Sequence, residues 1–249
     1  TQALLGQFNS YRYFRDNKFA NFPNFTAPSQ PEPARGECVT DPFWFDNKVC
    51  KVTDVAAQWG PLNSALFLEK IPVSRWTTEN ADASMFYTQL GGEIPPGSGK
   101  GSIAFYRTQG YAAAGYAKVF SYEGQEFRWS DKDPKLLYYI PLGTCQFATY
   151  NVDTGATTIL RDFAADFPGC RTIRNDTEGT SSTGSRYWAW MVMGQPRFGN
   201  FPLTAVIVYD LETDIITGRL DRDKFIAQGG WAPLWDSIGY RPNAVDMAP

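Results

Sequence analysis

Glu79 and Glu178 lie in polar turns that recur at corresponding places along the chain. Two carboxylates facing each other across a sugar could run glycoside hydrolysis, one as acid and the other as base or nucleophile. Arg75 and Arg128 fall in the same kind of turn and could neutralise a uronate in a lyase reaction, although no Tyr or Lys base stands beside them. Trp76 and Trp129 offer flat faces for stacking on a ring, and Asp246 opens a further turn of the same type. A plainer reading fits the same residues. Tryptophans pack sheets against one another, and acids cap turns through backbone N–H groups.

The composition removes several chemistries. There is no histidine, so a Ser-His-Asp triad, a Cys-His pair and an imidazole metal site are excluded. Asp131, Asp133, Asp153, Asp176 and Glu178 are oxygen donors of the kind that hold calcium. They show no D-x-[DN]-x-[DN]-G loop with a distal Glu, so turn chemistry is the expectation and calcium the alternative. No other metal or cofactor is expected. Residues 91–101 are Gly-rich but lack the G-x-x-x-x-G-K-[ST] pattern and read as a loop.

These residues need elements to hold them, and the spacing names the elements. A turn rich in Asn, Asp, Ser and Gly, followed by an aromatic strand and a hairpin, returns about every fifty residues. It appears at 76–87, at 129–139 and at 176–190, and opens again at 242–247. Strands are predicted at 48–53, 65–71, 85–89, 102–107, 117–122, 136–140, 146–150, 157–160, 187–193, 204–209 and 215–220. Residues 127–134 read as a turn, and 221–228 as one or two helical turns. Tyr150-x-x-Asp153-Thr154 and Tyr209-x-x-Glu212-Thr213 read as one device, a strand ending in Tyr with an acid capping the turn after it.

This order is all-β and reads as a β-propeller over 36–249, with four or so blades visible, as part of a larger or incomplete ring. Arg128-Trp129-Ser130 through Gly155, and the parallel stretch 185–214, resemble the TolB-like and WD-repeat-like propellers of bacterial secreted proteins. The resemblance covers about residues 40–249 and implies no particular activity. Four units and one opening turn do not obviously close a ring. A fragment, a ring completed by another chain, and a small ring closed by the N-terminal segment are the competing expectations. Residues 1–35, rich in Pro and aromatics, read as an extended arm that packs on the protein or on a neighbour.

Four cysteines fall into two sequence-local pairs, and Cys38–Cys50 with Cys145–Cys170 is the expected pairing. Two such bridges point to an oxidising compartment, extracellular or periplasmic. A start at Thr1 without Met fits a processed secreted chain. Sequons occur at Asn24-Phe25-Thr26 and Asn175-Asp176-Thr177. Net charge is −3 and no run of Lys or Arg exceeds two residues, so nucleic acid is not an expected partner. No apolar stretch is long enough to span a bilayer as a helix.

The function expected is therefore a binding or structural module, with a protein or glycan as ligand and self-association or a completing chain as partner. It leans away from being an enzyme. The alternative is a polysaccharide hydrolase or lyase using Glu79, Glu178 or the arginines. Ligand contacts are expected at Arg75, Trp76, Arg128, Trp129 and Asp246.

Overall fold

The computed structural model describes residues 33–41, 47–54, 78–89, 103–111, 113–117, 126–175, 181–195, 202–229 and 247. The chain divides into two compact units, Thr1–Lys51 and Val52–Pro249. Residues 1–32 of the expected arm, the predicted strand at 65–71 and the whole Gly-rich loop at 91–101 lie outside the described residues.

In the first unit β1 (Cys38–Asp41) pairs antiparallel with β2 (Asn47–Cys50), and Cys38 stands opposite Cys50. The disulfide between them closes the open end of this hairpin.

The second unit is built from consecutive antiparallel meanders. β3 (Met85–Gln89), β4 (Ile103–Arg107) and β5 (Ala113–Ala117) form one sheet in sequence order. Glu79 adds a single bridge to Phe86 on the free side of β3. β6 (Arg128–Trp129), β7 (Leu136–Tyr139), β8 (Gln146–Asn151) and β9 (Thr157–Asp162) form the next sheet. β10 (Thr172–Arg174), β11 (Tyr187–Met193), β12 (Leu203–Asp210) and β13 (Ile215–Asp221) form the third. The short α1 (Arg222–Ala227) follows. The described residues are mostly β and form no closed ring.

The sheets pack face to face. Met85, Tyr87, Ile103 and Phe105 of the β3–β5 sheet meet Phe127, Trp129, Leu137, Tyr139 and Ala148 of the β6–β9 sheet. The other face of the β6–β9 sheet carries Tyr138, Ile140 and Phe147. These meet Ile173, Trp188, Trp190, Val192, Ile207 and Tyr209 of the β10–β13 sheet. Alternate residues of one strand thus enter different cores, which is why β7 reads LLYY without a polar position. The outer strands β9 and β13 are largely exposed and contain Thr157, Thr158 and Thr217. The Cys145–Cys170 disulfide ties the start of β8 to the approach to β10.

One kind of turn recurs immediately before β3, β7 and β11. Asn80 N–H donates to Met85 O at 2.9 Å, and Ser182 N–H donates to Tyr187 O at 2.9 Å. The Asn80 and Ser182 side chains each accept the return N–H, from Met85 and Tyr187, also at 2.9 Å. In the middle sheet Ser130 N–H donates to Leu136 O at 2.9 Å, one residue further on, where Pro134 lengthens the turn.

The first and third of these turns place a non-glycine residue, Ala83 and Ser185, in the left-handed region at φ 55° and 56°. That conformation costs an L-residue about 1–2 kcal/mol, and glycine loses about 0.5–1 kcal/mol of that advantage through its freer unfolded chain. Ala83 is exposed, so Ala83→Gly should stabilise the protein by about 0.5–1 kcal/mol in denaturant unfolding. An equal or lower midpoint would refute the assigned turn.

Two expectations are corrected here. Residues 127–134 do not form a simple turn, because Arg128 and Trp129 pair with Tyr138 and Leu137 as a short first strand. The partner of β4 is already a strand over Ala113–Ala117, earlier than residue 117, and residues 118–122 of the expected strand lie outside the described residues. The chain reverses early, through a 3-10 turn at Gln109–Tyr111 in which Gly110 takes φ 69°.

Candidate functional site

Arg75, Trp76, Glu178 and Asp246 lie outside the described residues, as do Asn24 and Asp176. Glu79, Arg128 and Trp129 are described, and all three sit on first-strand positions of their sheets. Glu79 is exposed and its backbone bridges Phe86. Trp129 is buried between two sheets, and its indole N–H donates to Thr78 O at 2.7 Å. Its ring lies 5.9 Å from Tyr87 and 5.8 Å from Phe105.

Arg128 is buried at 6% exposure, beside Glu126 at 1% and Asn175 at 0%. Arg128 Nη2 lies 3.9 Å from Glu126 Oε2 and donates to Asn175 Oδ1 at 3.3 Å. Asn175 N–H donates to Glu126 Oε1 at 3.1 Å. Arg128 Nη1 also donates to Phe127 O at 2.8 Å, the carbonyl that receives the Tyr87 hydroxyl at 3.4 Å. Burial pushes the Tyr87 phenol well above its ordinary range, and the nearby Arg128 charge opposes that only in part. One polar node therefore joins residues of all three sheets. Glu126 and Arg128 are two apart on an extended segment and so share a face. Sequence reading missed Glu126 for want of a second carboxylate near it, and took Asn175 only as part of a sequon.

A second polar network links the turns of the β6–β9 and β10–β13 sheets. Asp131 N–H donates to Ser185 Oγ at 3.1 Å, and Gly184 N–H donates to Asp131 Oδ2 at 3.0 Å. Lys132 Nζ pairs with Glu212 at 3.0 Å. Arg186 grips Asp210 with two hydrogen bonds, Nε at 3.0 Å and Nη2 at 2.7 Å, and reaches Glu212 at 3.3 Å.

The turn caps differ from the expected acids. Asn151 Oδ1 accepts from the N–H groups of Asp153 and Thr154, both at 3.0 Å, while Asp153 pairs with Lys135 at 2.7 Å. Likewise Asp210, rather than Glu212, caps its turn by accepting Glu212 N–H at 3.0 Å. The residue directly after Tyr does the capping in both, because its carbonyl oxygen side chain is short enough to fold back. Of the carboxylates named for calcium, Asp131, Asp133 and Asp153 each engage a backbone N–H or Lys135. Among the described residues no three His, Cys, Asp or Glu side chains gather as a metal-holding group.

The two-pronged bond from Arg186 holds the Asp210 carboxyl down at about 2, against an ordinary value of 3.8. A depressed carboxyl contributes stability that is complete above its unfolded value and lost as pH falls toward its folded value. The gap in melting temperature between the parent protein and Asp210→Asn should therefore be full above pH about 5 and shrink between about 4 and 2. A gap that stays constant over that window would remove the pair from the acid response.

Chemically, this arrangement joins sheets. No family model matches the chain, and no curated protein matches it. Among solved structures it is similar to an oligogalacturonate lyase from Vibrio parahaemolyticus, at 10% identity and TM-score 0.45, over 74% of this chain and 46% of that one. It is similar to a luciferin-regenerating enzyme at 13% identity and TM-score 0.37, over 68% of this chain and 50% of the other. The third similarity is to the tricorn protease, at 16% identity and TM-score 0.33, over 55% of this chain and 12% of that protein. The chain spans half or less of the length of each. All three are propeller-type folds, matched at low identity, and no single family is shown.

Proposed function

We propose that this chain is a β-propeller that works as an extracellular or periplasmic binding or structural module, without chemistry of its own. The observation that carries this reading is the face-to-face stacking of three successive meanders over shared aromatic cores, each opened by the same kind of turn. Stacked meanders around a centre are how such a fold covers sheets that cannot bury themselves alone. Two disulfides support an oxidising location, and no helix among the described residues is long and apolar enough to cross a membrane.

In this reading the ligand is a protein or glycan with Arg75, Trp76 and Asp246 among its contacts, while buried Arg128 and Trp129 hold the sheets together. A second copy or a completing chain closes the ring. No cofactor is required. Calcium is the alternative, and unchanged melting on adding calcium or EDTA would exclude it.

The second reading, a polysaccharide hydrolase or lyase, rests on Glu79, Glu178 and the arginines. A glycan panel run under turnover conditions separates the two. The module predicts retention of a ligand without product. Product formation that disappears in Glu79→Gln or Glu178→Gln would overturn it. Sedimentation of the chain with and without residues 1–35 tests assembly, and one unchanged monomer in both forms would refute it.

A further inference from the structure

We infer that Asn175 is closed to N-linked glycosylation in the folded protein, and that a glycan there and the native sheet packing exclude each other. The sequence offers Asn175-Asp176-Thr177 as an acceptor. Transfer joins the sugar to Asn Nδ2, which must then stand in solvent with room for a pyranose ring. The structure gives Asn175 the opposite surroundings. The residue has 0% exposure, and its Nδ2 is buried without a hydrogen-bond partner. Two of its other polar atoms are committed to the neighbouring sheet: its N–H donates to Glu126 Oε1 at 3.1 Å, and its Oδ1 accepts from Arg128 Nη2 at 3.3 Å. Ile173, two residues earlier on β10, lies in the core with Trp188 and Phe147. A sugar on Nδ2 would have to part β10 from the β6 segment, breaking both bonds.

The side chain is therefore a structural link between first strands, and its sequon a coincidence of sequence. The two disulfides fit folding where thiols are oxidised, with Asn175 bare in the chain that folds there.

The test uses the full chain made in a glycosylating secretory host, with Thr26→Ala in every arm so that one sequon remains. Folded protein is separated from aggregate by size and by near-ultraviolet dichroism, and Asn175 is mapped for glycan in each fraction. Glycan confined to the aggregate, with Thr177→Ala raising the folded yield, is the expected result. A folded fraction that carries glycan at Asn175 overturns the inference. Asn175→Gln, made in a host that adds no glycans, tests the closed site without any sugar. One added methylene should lower the melting temperature by about 3–10 °C if the pocket is as tight as the contacts imply. If Asn175 is bare in every fraction, that loss upholds the inference, and a melting temperature equal to the parent's overturns it.

Discussion

Phe147→Ala is expected to cost about 3–5 kcal/mol of stability and about 10 °C in melting temperature. Phe147 is fully buried on β8, the third strand of the middle sheet. Its ring centroid lies 4.8 Å from Trp188, 5.3 Å from Trp190, 5.5 Å from Tyr138 and 6.2 Å from Tyr209. Those neighbours cannot close the void. Trp188 and Trp190 are stacked at 8° on β11, and the Trp188 indole N–H is tied to Ser185 O at 2.9 Å. A void lined by rigid rings keeps its volume, which places the cost at the upper end of the range for large-to-small changes. Ile159→Ala, on the exposed strand β9, is the control and should cost less than about 1 kcal/mol. Denaturant midpoints at constant m-value measure both. A loss below about 1 kcal/mol for Phe147→Ala would mean that these two sheets do not share the core described.

The second large effect belongs to the buried ion pair. Arg128→Met should cost about 3–5 kcal/mol, because it removes a buried cation 3.9 Å from the Glu126 carboxylate together with its bonds to Asn175 Oδ1 and Phe127 O. Glu126→Gln in the same chain should restore part of that loss. The amide oxygen can still accept Asn175 N–H, and the buried negative charge that Arg128 faced is gone. The double variant is therefore expected to be more stable than Arg128→Met alone. If the double variant instead shows the summed losses of the two single changes, the pair does not act as a unit.

Much of the architecture was legible because the strong strands carry continuous apolar runs. Residues 85–89 and 187–193 were placed to the residue, since MFYTQ and YWAWMVM are too aromatic for a loop and too short for a spanning helix. The disulfide pairing was legible from spacing, because each bridge closes a local loop. The first strands were not. β6 has two residues and β10 three, and a period of two cannot show itself over so short a length. The turn caps are not legible from residue type, because Asp153 and Glu212 are acids in the same turns, whereas Asn151 and Asp210 fold back on the backbone.

The candidate site was less legible still. Trp129 and Arg128 were singled out for contact with a ligand, yet nothing in their types reveals that they face Thr78 and Asn175 of adjacent sheets. Glu126 and Asn175 meet across 49 residues of sequence, and such a meeting has no local signature.

Among the described residues the bonds between sheets run to immediate neighbours: Asn80 Nδ2 to Pro134 O at 2.9 Å in one direction, Gly184 to Asp131 in the other. Stability in such a stack adds up by adjacent pairs, and opening begins where a layer has fewest companions. The β6–β9 layer is clasped on both sides. Its amide protons should be the last to trade with deuterium, so β7 and β8 mark the slowest-breathing part of the molecule.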